Sequence, residues 1–600
     1  TQGYSSAASD VYKRQLLCLP VSLLAQEKFN IRGVLPWHNF LSGPTGWNLE
    51  DYRDYLDECQ QYGINFIGFH NYTGGGERYA TYVEPMIKIE YKDILPQACF
   101  DNSLTARWGY LPMKVKDYVF GTDRVFSLPE GAEAFGSDAS VTSSTPREHY
   151  EKSQTLMRDV LSMAHERGIR MAMGFEFGVI PPEYFSLNVA GDCFYWPGES
   201  NMIPNPKSQI AIEIHYAALD NVLETYPDID YVWLWLNEHS FMGVNIEKAL
   251  ENTSFAEAYN AGQGYFKEAA DSAARFVGVW ALEYMKLTSD YLKSKGSDAK
   301  VILGGWGGGH QLPSLLNGLD RALPKDVIFS CLNPDLGKSP QPEFLSDIAK
   351  NRTVWAVPWL EGDHQLWHFQ PRVEMMRDHV KLAAKQNLDG VIAIHWRTEE
   401  PRFNFRTFAH FASNKTDNKT VEQLYEEYLT EDMGNKAAKL LAPLLAQMDI
   451  KQIQWNVPSP EFYAFTPEWG LLDDQNVKLR ESLIRTAEQV LKKTEGSQRD
   501  NLQRFIAMFR FELLLGEVDK AMMPAFILKK NDRQGVAASS FEEYEEAYRS
   551  LMAAPVKDMF ETYMQRVHSR GELGVLSSLN QRLWREYNDL KSYLETKLKR

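Results

Sequence analysis

The sequence predicts a (β/α)8 barrel followed by a helical domain. Between Phe29 and about Asn414, short apolar stretches alternate with helical ones, which is typical of parallel β/α architecture. After about Asn418, apolar residues recur at helical spacing and strand-like runs are scarce. A chain of 600 residues is too long for one compact core, so we expect one large domain and one smaller domain.

Eight short apolar stretches predict the barrel strands, because strands covered on both faces are continuously hydrophobic. In chain order they are Ile31–Trp37, Asn65–His70, Arg170–Phe175, Tyr231–Leu236, Lys300–Gly305, Asp326–Cys331, Thr353–Trp359 and Gly390–His395. Eight β/α units are what a closed parallel barrel requires.

Start and stop signals predict the helices between the strands. Asn48 is placed to cap a helix over Leu49–Tyr62, and Gly63 follows as a stop signal. Thr145-Pro146 opens a helix that runs to His165, and Pro371 opens one that runs to about Leu388. The C-terminal helices are predicted over Thr420–Met433, Lys436–Met448, Val477–Thr494, Arg499–Val518, Phe541–Met552 and Leu576–Leu598.

Two insertions interrupt the alternation, over Glu77–Ser144 and Phe241–Ala273. They follow the second and fourth predicted strands, so we expect both on the face of the barrel where active sites lie. The first predicts a loop-built lid or subsite wall, and the second a cover for the pocket.

The N-terminus predicts export. Residues 16–25 form a short apolar run preceded by Lys13-Arg14 and ending at Ala25-Gln26, which is typical of a signal peptide and too short to span a bilayer. We assign residues 1–15 to a non-native leader, 16–25 to a signal-peptide remnant, 29–414 to the barrel and 420–600 to the helical domain. The expectation is a secreted or periplasmic bacterial protein without a membrane span.

Composition excludes several classes of partner and cofactor. The net charge of −16 and the lack of a basic tract argue against nucleic acid. The sequence has no HExxH, P-loop spacing, CxxC pair or GxSxG elbow, so we predict neither a metal nor a cofactor. Aromatic residues reach 12%, with 15 Trp. Large hydrophobic cores are one explanation for this aromatic content. The concentration of the Trp residues near predicted strand ends favours sugar binding instead. The oligomeric state stays open.

Two glutamates each follow a strongly apolar stretch. Glu238 ends the fourth predicted strand and Glu361 the seventh, where a carboxylate is costly unless it has partners or a function. Parallel strands end at one rim, so the two acids are expected to face each other across a pocket. Trp233 and Trp235 would raise the pKa of Glu238, and a nearby His364 or arginine would keep Glu361 ionised. Such a pair suits cleavage of a glycosidic bond.

Further polar and aromatic residues at predicted strand ends are candidates for substrate binding, although a buried, satisfied polar group is the alternative for each. They are Trp37, His38, His70, Asn71, Tyr72, Glu176, Asn237, His239, Trp306, Asp363, His364, His395, Trp396, Arg397 and Glu399.

Asn237-Glu238 on strand four, Glu361 on strand seven and Trp396 after strand eight together resemble glycoside hydrolase clan A. The resemblance implies that Glu238 is the acid/base, that Glu361 is the nucleophile and that anomeric configuration is retained. The sequence departs from the clan at strand two, where Phe69–Tyr72 replaces an arginine-containing ending. It also departs at strand six, where no tyrosine partner follows.

A helical domain after the barrel is also similar to family 67 α-glucuronidases, which invert configuration. That resemblance implies a base at Glu399 or Glu400, with Arg397 or Arg402 clamping a sugar carboxylate. A solvated salt-bridge cluster is the alternative for these four residues. We therefore expect a hydrolase of oligo- or polysaccharides, whose substrates include uronic acids if the second resemblance applies. A catalytically silent glycan-binding barrel is the other possibility.

Overall fold

A computed structural model shows a closed barrel of eight parallel strands. It describes residues 28–38, 40–73, 84–96, 113–178, 181–187, 193–195, 202–237, 245–251, 253–305, 312–363, 366–450, 465–536 and 539–599. The barrel strands are β1 (Ile31–Pro36), β2 (Phe66–Asn71), β3 (Arg170–Phe177), β4 (Tyr231–Leu236), β5 (Lys300–Gly304), β6 (Ile328–Leu332), β7 (Val354–Val357) and β8 (Gly390–His395). The predicted leader and signal-peptide remnant lie outside the described residues.

The strands pair in the order β1-β8-β7-β6-β5-β4-β3-β2, and β2 pairs with β1 to close the ring. Every pairing in the ring is parallel. The predicted fold class, a (β/α)8 barrel followed by helices, is confirmed. A short antiparallel ribbon, Cys193–Tyr195 with Met202–Pro204, lies between β3 and β4 in the chain.

Eleven helices accompany the described part of the barrel. They are α1 (Leu49–Gln61), α2 (Asp138–Val141), α3 (Pro146–Glu166), α4 (Gln209–Thr225), α5 (Ile246–Ala249), α6 (Thr253–Gly262), α7 (Ser272–Ser294), α8 (Leu312–Ala322), α9 (Leu345–Ile348), α10 (Val373–Lys385) and α11 (Arg402–Ser413). The predicted caps are present: Asn48 forms a capping box with Asp51, and Thr145 caps α3 ahead of Pro146.

Eight helices follow, and they form the helical region. They are α12 (Val421–Met433), α13 (Asn435–Ile450), α14 (Asp474–Leu491), α15 (Gly496–Arg533), α16 (Phe541–Met552), α17 (Val556–Met564), α18 (Arg570–Ser578) and α19 (Arg585–Leu598). Helix α15 continues through Pro524, beyond the predicted end at Val518, because Met522 and Ala525 are buried in the core of the helical region. The predicted helix Leu576–Leu598 is interrupted by a π-helical turn over Leu579–Trp584. No helix in the described ranges is long and apolar enough to cross a membrane.

The barrel interior is filled by large aromatic side chains. Trp233 and Trp235 of β4 lie there beside Phe66 and Trp355. Glycines on the neighbouring strands leave the space that the Trp233 ring occupies. A Cβ on Gly68 would lie 2.3 Å from that ring, and one on Gly304 would lie 2.6 Å from its Nε1. The opposite faces of the same strands form a separate core with the helices. Alternation along each strand therefore decides which side chains reach the interior.

Candidate active site

The C-terminal ends of the barrel strands form one mouth, which we call the barrel mouth. Its inward-facing side chains are Trp37 after β1, His70 on β2 and Tyr72 directly after it, Glu176 on β3, Trp235 on β4 and Asn237 directly after it, Trp359 after β7 and Trp396 after β8. Six of these eight were predicted as substrate-binding residues. Active sites of (β/α)8 enzymes lie at this end of the barrel.

Four indoles and an imidazole make the aromatic wall of the mouth. Trp37 stacks on His70 with ring centroids 4.1 Å apart and planes 15° from parallel. Trp235 meets Trp37 edge-on at 5.6 Å, and Trp396 lies 6.4 Å from Trp37. Trp359 lies 5.3 Å from Trp396. Aromatic side chains combined with a few convergent polar groups are typical of small-ligand sites.

Glu176 of β3 places a carboxylate at the mouth. Its Oε2 accepts a hydrogen bond of 2.6 Å from the Asn237 side-chain amide, and its Oε1 lies 3.5 Å from His70 Nε2. Burial lowers the pKa of His70 well below its usual value, so the imidazole is neutral at physiological pH. Glu176 thereby fixes the amide of the residue that directly precedes Glu238 in the chain.

Glu361 occupies the predicted position after β7, but it is enclosed. Its Oε1 accepts backbone hydrogen bonds from Trp396 (2.9 Å) and Arg397 (2.6 Å), and its Oε2 accepts one of 2.8 Å from Arg397 Nε. The residue is 0% exposed. Burial raises the pKa of Glu361, and the guanidinium of Arg397 opposes that shift. The predicted arginine partner is therefore present, but both carboxylate oxygens are engaged, and a substrate must displace one of these donors to be attacked.

Two indole N–H groups at the mouth are available as donors. Nε1 of Trp359 and Nε1 of Trp396 are buried and have no hydrogen-bond partner within the described ranges. A buried donor without an acceptor is costly, and sugar hydroxyls are suitable acceptors. This pair therefore points to a polar ligand between β7 and β8.

Three predicted substrate-binding residues, His38, Asn71 and His395, have side chains that face away from the mouth. His38 packs on Phe69, which belongs to the core between strands and helices. Asn71 donates to Gly174 O at 2.9 Å, and His395 Nε2 lies 2.6 Å from the Tyr55 hydroxyl of α1. Burial lowers the pKa of both His38 and His395 to about 4.

The charged residues after β8 do not line the mouth either. Glu399 and Glu400 lie in a second cavity of about 100 Å3, between this loop and the helical region. Glu400 pairs with Arg566 at 2.5 Å, and Glu399 lies 3.3 Å from His568. Hydrogen bonds to Glu399 and Glu572 raise the pKa of His568 to about 10. Arg397 and Glu399 therefore pair with charged groups of the protein, and the inverting alternative based on Glu399 or Glu400 stays a prediction.

The remaining predicted site residues are mostly undescribed. Glu238, His239, Trp306 and His364 lie outside the described residues. Asp363 is described and half-buried, two positions after Glu361. In the described part of the chain, no three His, Cys, Asp or Glu side chains are grouped as metal ligands would be.

Trp235 and Trp359 line the mouth but were not predicted as site residues. A signal was present, because each has the same parity along its strand as another inward-facing tryptophan, Trp233 on β4 and Trp355 on β7. No local signal marks Arg566, which reaches Glu400 across 166 positions of sequence.

The sequence matches no protein-family model and no curated protein. Similar solved structures are glycoside hydrolases. The family 89 glycoside hydrolase from Clostridium perfringens, in complex with PUGNAc, gives a TM-score of 0.54 at 12% identity, over 95% of this chain and 64% of its own. The chain thus spans less than two thirds of that enzyme.

Two more distant structures are a GH138 enzyme targeting pectin rhamnogalacturonan II and an O-GlcNAc hydrolase mutant from Thermobaculum terrenum. The first gives a TM-score of 0.43 at 8% identity, over 95% of this chain and 84% of that one. The second gives a TM-score of 0.42 at 11% identity, over 93% of this chain and 96% of that one. At these identities the similarity defines the class of fold and nothing finer.

Proposed function

We propose that this chain is a glycoside hydrolase that cleaves its substrate in the barrel mouth. The observation that carries the proposal is the inward-facing cluster of four indoles with Glu176, His70 and Asn237 at the strand ends. Indole faces stack on pyranose rings, and the polar groups suit sugar hydroxyls. The glycosidases among similar folds support this class of chemistry without identifying the substrate.

In the proposed reaction Glu238 donates a proton to the glycosidic oxygen while Glu361 attacks the anomeric carbon. Glu238 then takes a proton from the water that hydrolyses the glycosyl ester, and configuration is retained. The guanidinium of Arg397 supports the role of Glu361, because a nucleophile has to stay ionised. Substrate binding has to release one of the donors that now occupy its oxygens.

Glu176 is the second candidate for the carboxylate opposite Glu238. It faces the mouth, where its oxygens lie against the Asn237 side-chain amide and the His70 imidazole. The two candidates make different predictions for substitution, so kinetics can separate them.

The test is hydrolysis of a panel of aryl glycosides by the wild type and by Glu238→Gln, Glu361→Gln and Glu176→Gln. Aryl 2-acetamido-2-deoxyglycosides come first, because a family 89 enzyme was solved with 2-acetamido-1,2-dideoxynojirmycin, and uronides come second. The proposal predicts that Glu238→Gln and Glu361→Gln each lower kcat by several orders of magnitude while the fold, measured by circular dichroism, persists.

Glu399→Gln is the matched control, since it makes the same chemical change at a rim carboxylate that faces the helical region. Glu399→Gln should keep near-normal turnover. A loss of turnover in this variant would support the inverting alternative instead. The anomer formed first, identified by proton NMR, reports retention or inversion directly. A wild type that binds oligosaccharides but hydrolyses none would show a silent glycan-binding barrel instead.

A further inference from the structure

A row of four alternating charges runs from the barrel mouth into the helical region. Glu361 lies 2.7 Å from Arg397 Nη2, Arg397 Nη1 lies 3.6 Å from Glu400, and Glu400 lies 2.5 Å from Arg566. Glu361 follows β7, the next two residues follow β8, and Arg566 follows α17. The row therefore connects three segments that are remote in sequence.

All four side chains of this row are buried. Their exposed fractions are between 0 and 4%. In a buried row the screening by salt and water is weak, so each charge affects the next more strongly than a surface charge would. Removal of one member leaves its neighbour buried and uncompensated.

The same arginine holds the backbone beside the mouth. Arg397 Nη1 donates to Leu366 O, and Arg397 Nη2 donates to His368 O at 2.8 Å. The helical region holds this loop from its other side, because Phe369 N donates to Glu512 of α15 and His368 Nε2 lies 2.6 Å from Trp469 O. Contacts from the barrel and from the helical region together therefore fix the orientation of Arg397 and of this loop.

We propose that Glu400 and Arg566 are positioning residues, through which the helical region holds Arg397 against Glu361 and sets the charge that Glu361 experiences. Neither residue touches the mouth, and both act through Arg397. The role in turnover rests on the proposed function, in which Glu361 is the nucleophile, whereas the electrostatic coupling itself does not.

The signs of the two effects are opposite. Removal of Arg566 takes away a positive charge and frees Glu400 to draw Arg397 from Glu361, so protonation of Glu361 becomes easier. When the negative charge on Glu400 is removed, Glu400 no longer competes with Glu361 for Arg397. Protonation of Glu361 therefore becomes harder. Other charged or titratable groups that face the row are Arg372 near Glu361, His368 near Arg397, and Tyr563, Glu572 and Glu512 near Arg566. They are unchanged in these variants.

The experiment compares Arg566→Met, Glu400→Gln and the double variant with the wild type. Arg485→Met is the control, because Arg485 lies on α14, is 61% exposed and contacts Glu481 and Ser482 of the same helix. The acid limb of the pH profile of kcat/KM should move up in Arg566→Met and down in Glu400→Gln. The expected shift is about 1 pH unit, as for a charge roughly 10 Å away at an effective dielectric constant of about 20. The double variant should return towards the wild type, and the control should not move.

A second readout does not need turnover. Carbon-13 NMR of glutamate-labelled protein, with the Glu361 carboxyl signal assigned by its loss in Glu361→Gln, follows the titration of Glu361 directly. In this titration too, the pKa of Glu361 is expected to move up in Arg566→Met and down in Glu400→Gln. Equal or absent shifts in the two single variants would overturn the proposal, even if both lower the melting temperature, since a merely structural role gives no opposite signs. If the NMR shifts appear but Glu361→Gln hydrolyses normally, the coupling stands and the proposed role of Glu361 fails.

Discussion

The two faces of the barrel strands carry similar residues at the mouth but hold them in different ways. On β2, His70 faces inward and stacks on Trp37, whereas the next residue, Asn71, faces outward and donates to the backbone of β3. After β8, Trp396 faces inward, whereas His395 faces outward and contacts Tyr55 on α1. Asn71 and His395 on the outward face thus have hydrogen-bond partners inside the protein, whereas the indole N–H groups of Trp359 and Trp396 on the inward face have no acceptor among the described residues. Position on the strand therefore separates binding residues from structural ones better than residue type does.

The comparison predicts that inward substitutions reduce turnover with little effect on stability, and that outward substitutions do the reverse. Glu176→Gln should have the largest effect in this set. The amide keeps an acceptor for Asn237 but removes a negative charge that faces the oxocarbenium-like transition state. We expect kcat/KM to fall about 100-fold, equivalent to about 2.7 kcal/mol. Steady-state kinetics and thermal melts check this, and a tenfold loss or less with a clearly lower melting temperature would contradict it.

His395→Phe tests the outward face. The change leaves the buried hydroxyl of Tyr55 without its partner, so the free energy of unfolding should decrease by about 1–3 kcal/mol. Turnover at 25 °C should stay within about twofold of the wild type, because the imidazole faces α1 and not the mouth. Denaturant unfolding measures the first and aryl glycoside hydrolysis the second. A selective loss of kcat in a fully stable variant would place His395 in the active site after all.

Trp359→Phe sharpens the inward side of the comparison. The substitution keeps an aromatic ring beside Trp396 and removes one indole N–H that has no acceptor in the described part of the chain. Loss of one hydrogen bond to substrate should raise KM about 3- to 10-fold, while stability is unchanged or slightly improved. The matched variant Trp367→Phe alters an indole in the core of the helical region and should leave KM unchanged.

The smallest effect concerns the cavity on the outward side of β8. Because Glu399 and Glu572 raise the pKa of His568 from about 6.5 to about 10, the protonated form stabilises the folded state. This contribution is complete below pH 6.5, decreases above that value and is lost as the pH rises through about 10. Unfolding free energies measured from pH 6 to pH 10 should therefore fall more steeply in the wild type than in His568→Gln. A common pH dependence for both proteins would show that His568 is not held protonated.

Much of the fold was accessible from sequence, because the signals were local. The bounds of β4 and β8 were predicted to the residue, since Tyr231–Leu236 and Gly390–His395 are continuously apolar runs between turn residues. The caps at Asn48 and Thr145 also need only a few adjacent residues. Helix α15 was predicted too short, because burial of its second half in the helical core outweighs the helix-breaking tendency of Pro524.

The candidate site was predicted less completely. Treating every polar residue at a strand end as a binding residue combined both faces of the barrel, and strict alternation would have set His38 apart from Trp37 and Asn71 apart from His70. The surroundings of Glu361 were not accessible in this way. They depend on contacts from the β8 loop and from Arg566, which only the closed fold brings together.

The most direct test of hydrolysis in the barrel mouth is covalent trapping. Once a hydrolysed sugar is known, its activated 2-deoxy-2-fluoro glycoside should form a slowly released ester with the nucleophile, and mass spectrometry of the digested protein locates that ester. We predict the ester on the peptide that contains Glu361, with the Glu361→Gln protein unlabelled. An ester on Glu399, Glu400 or any carboxylate other than Glu361 and the second candidate, Glu176, would contradict the account.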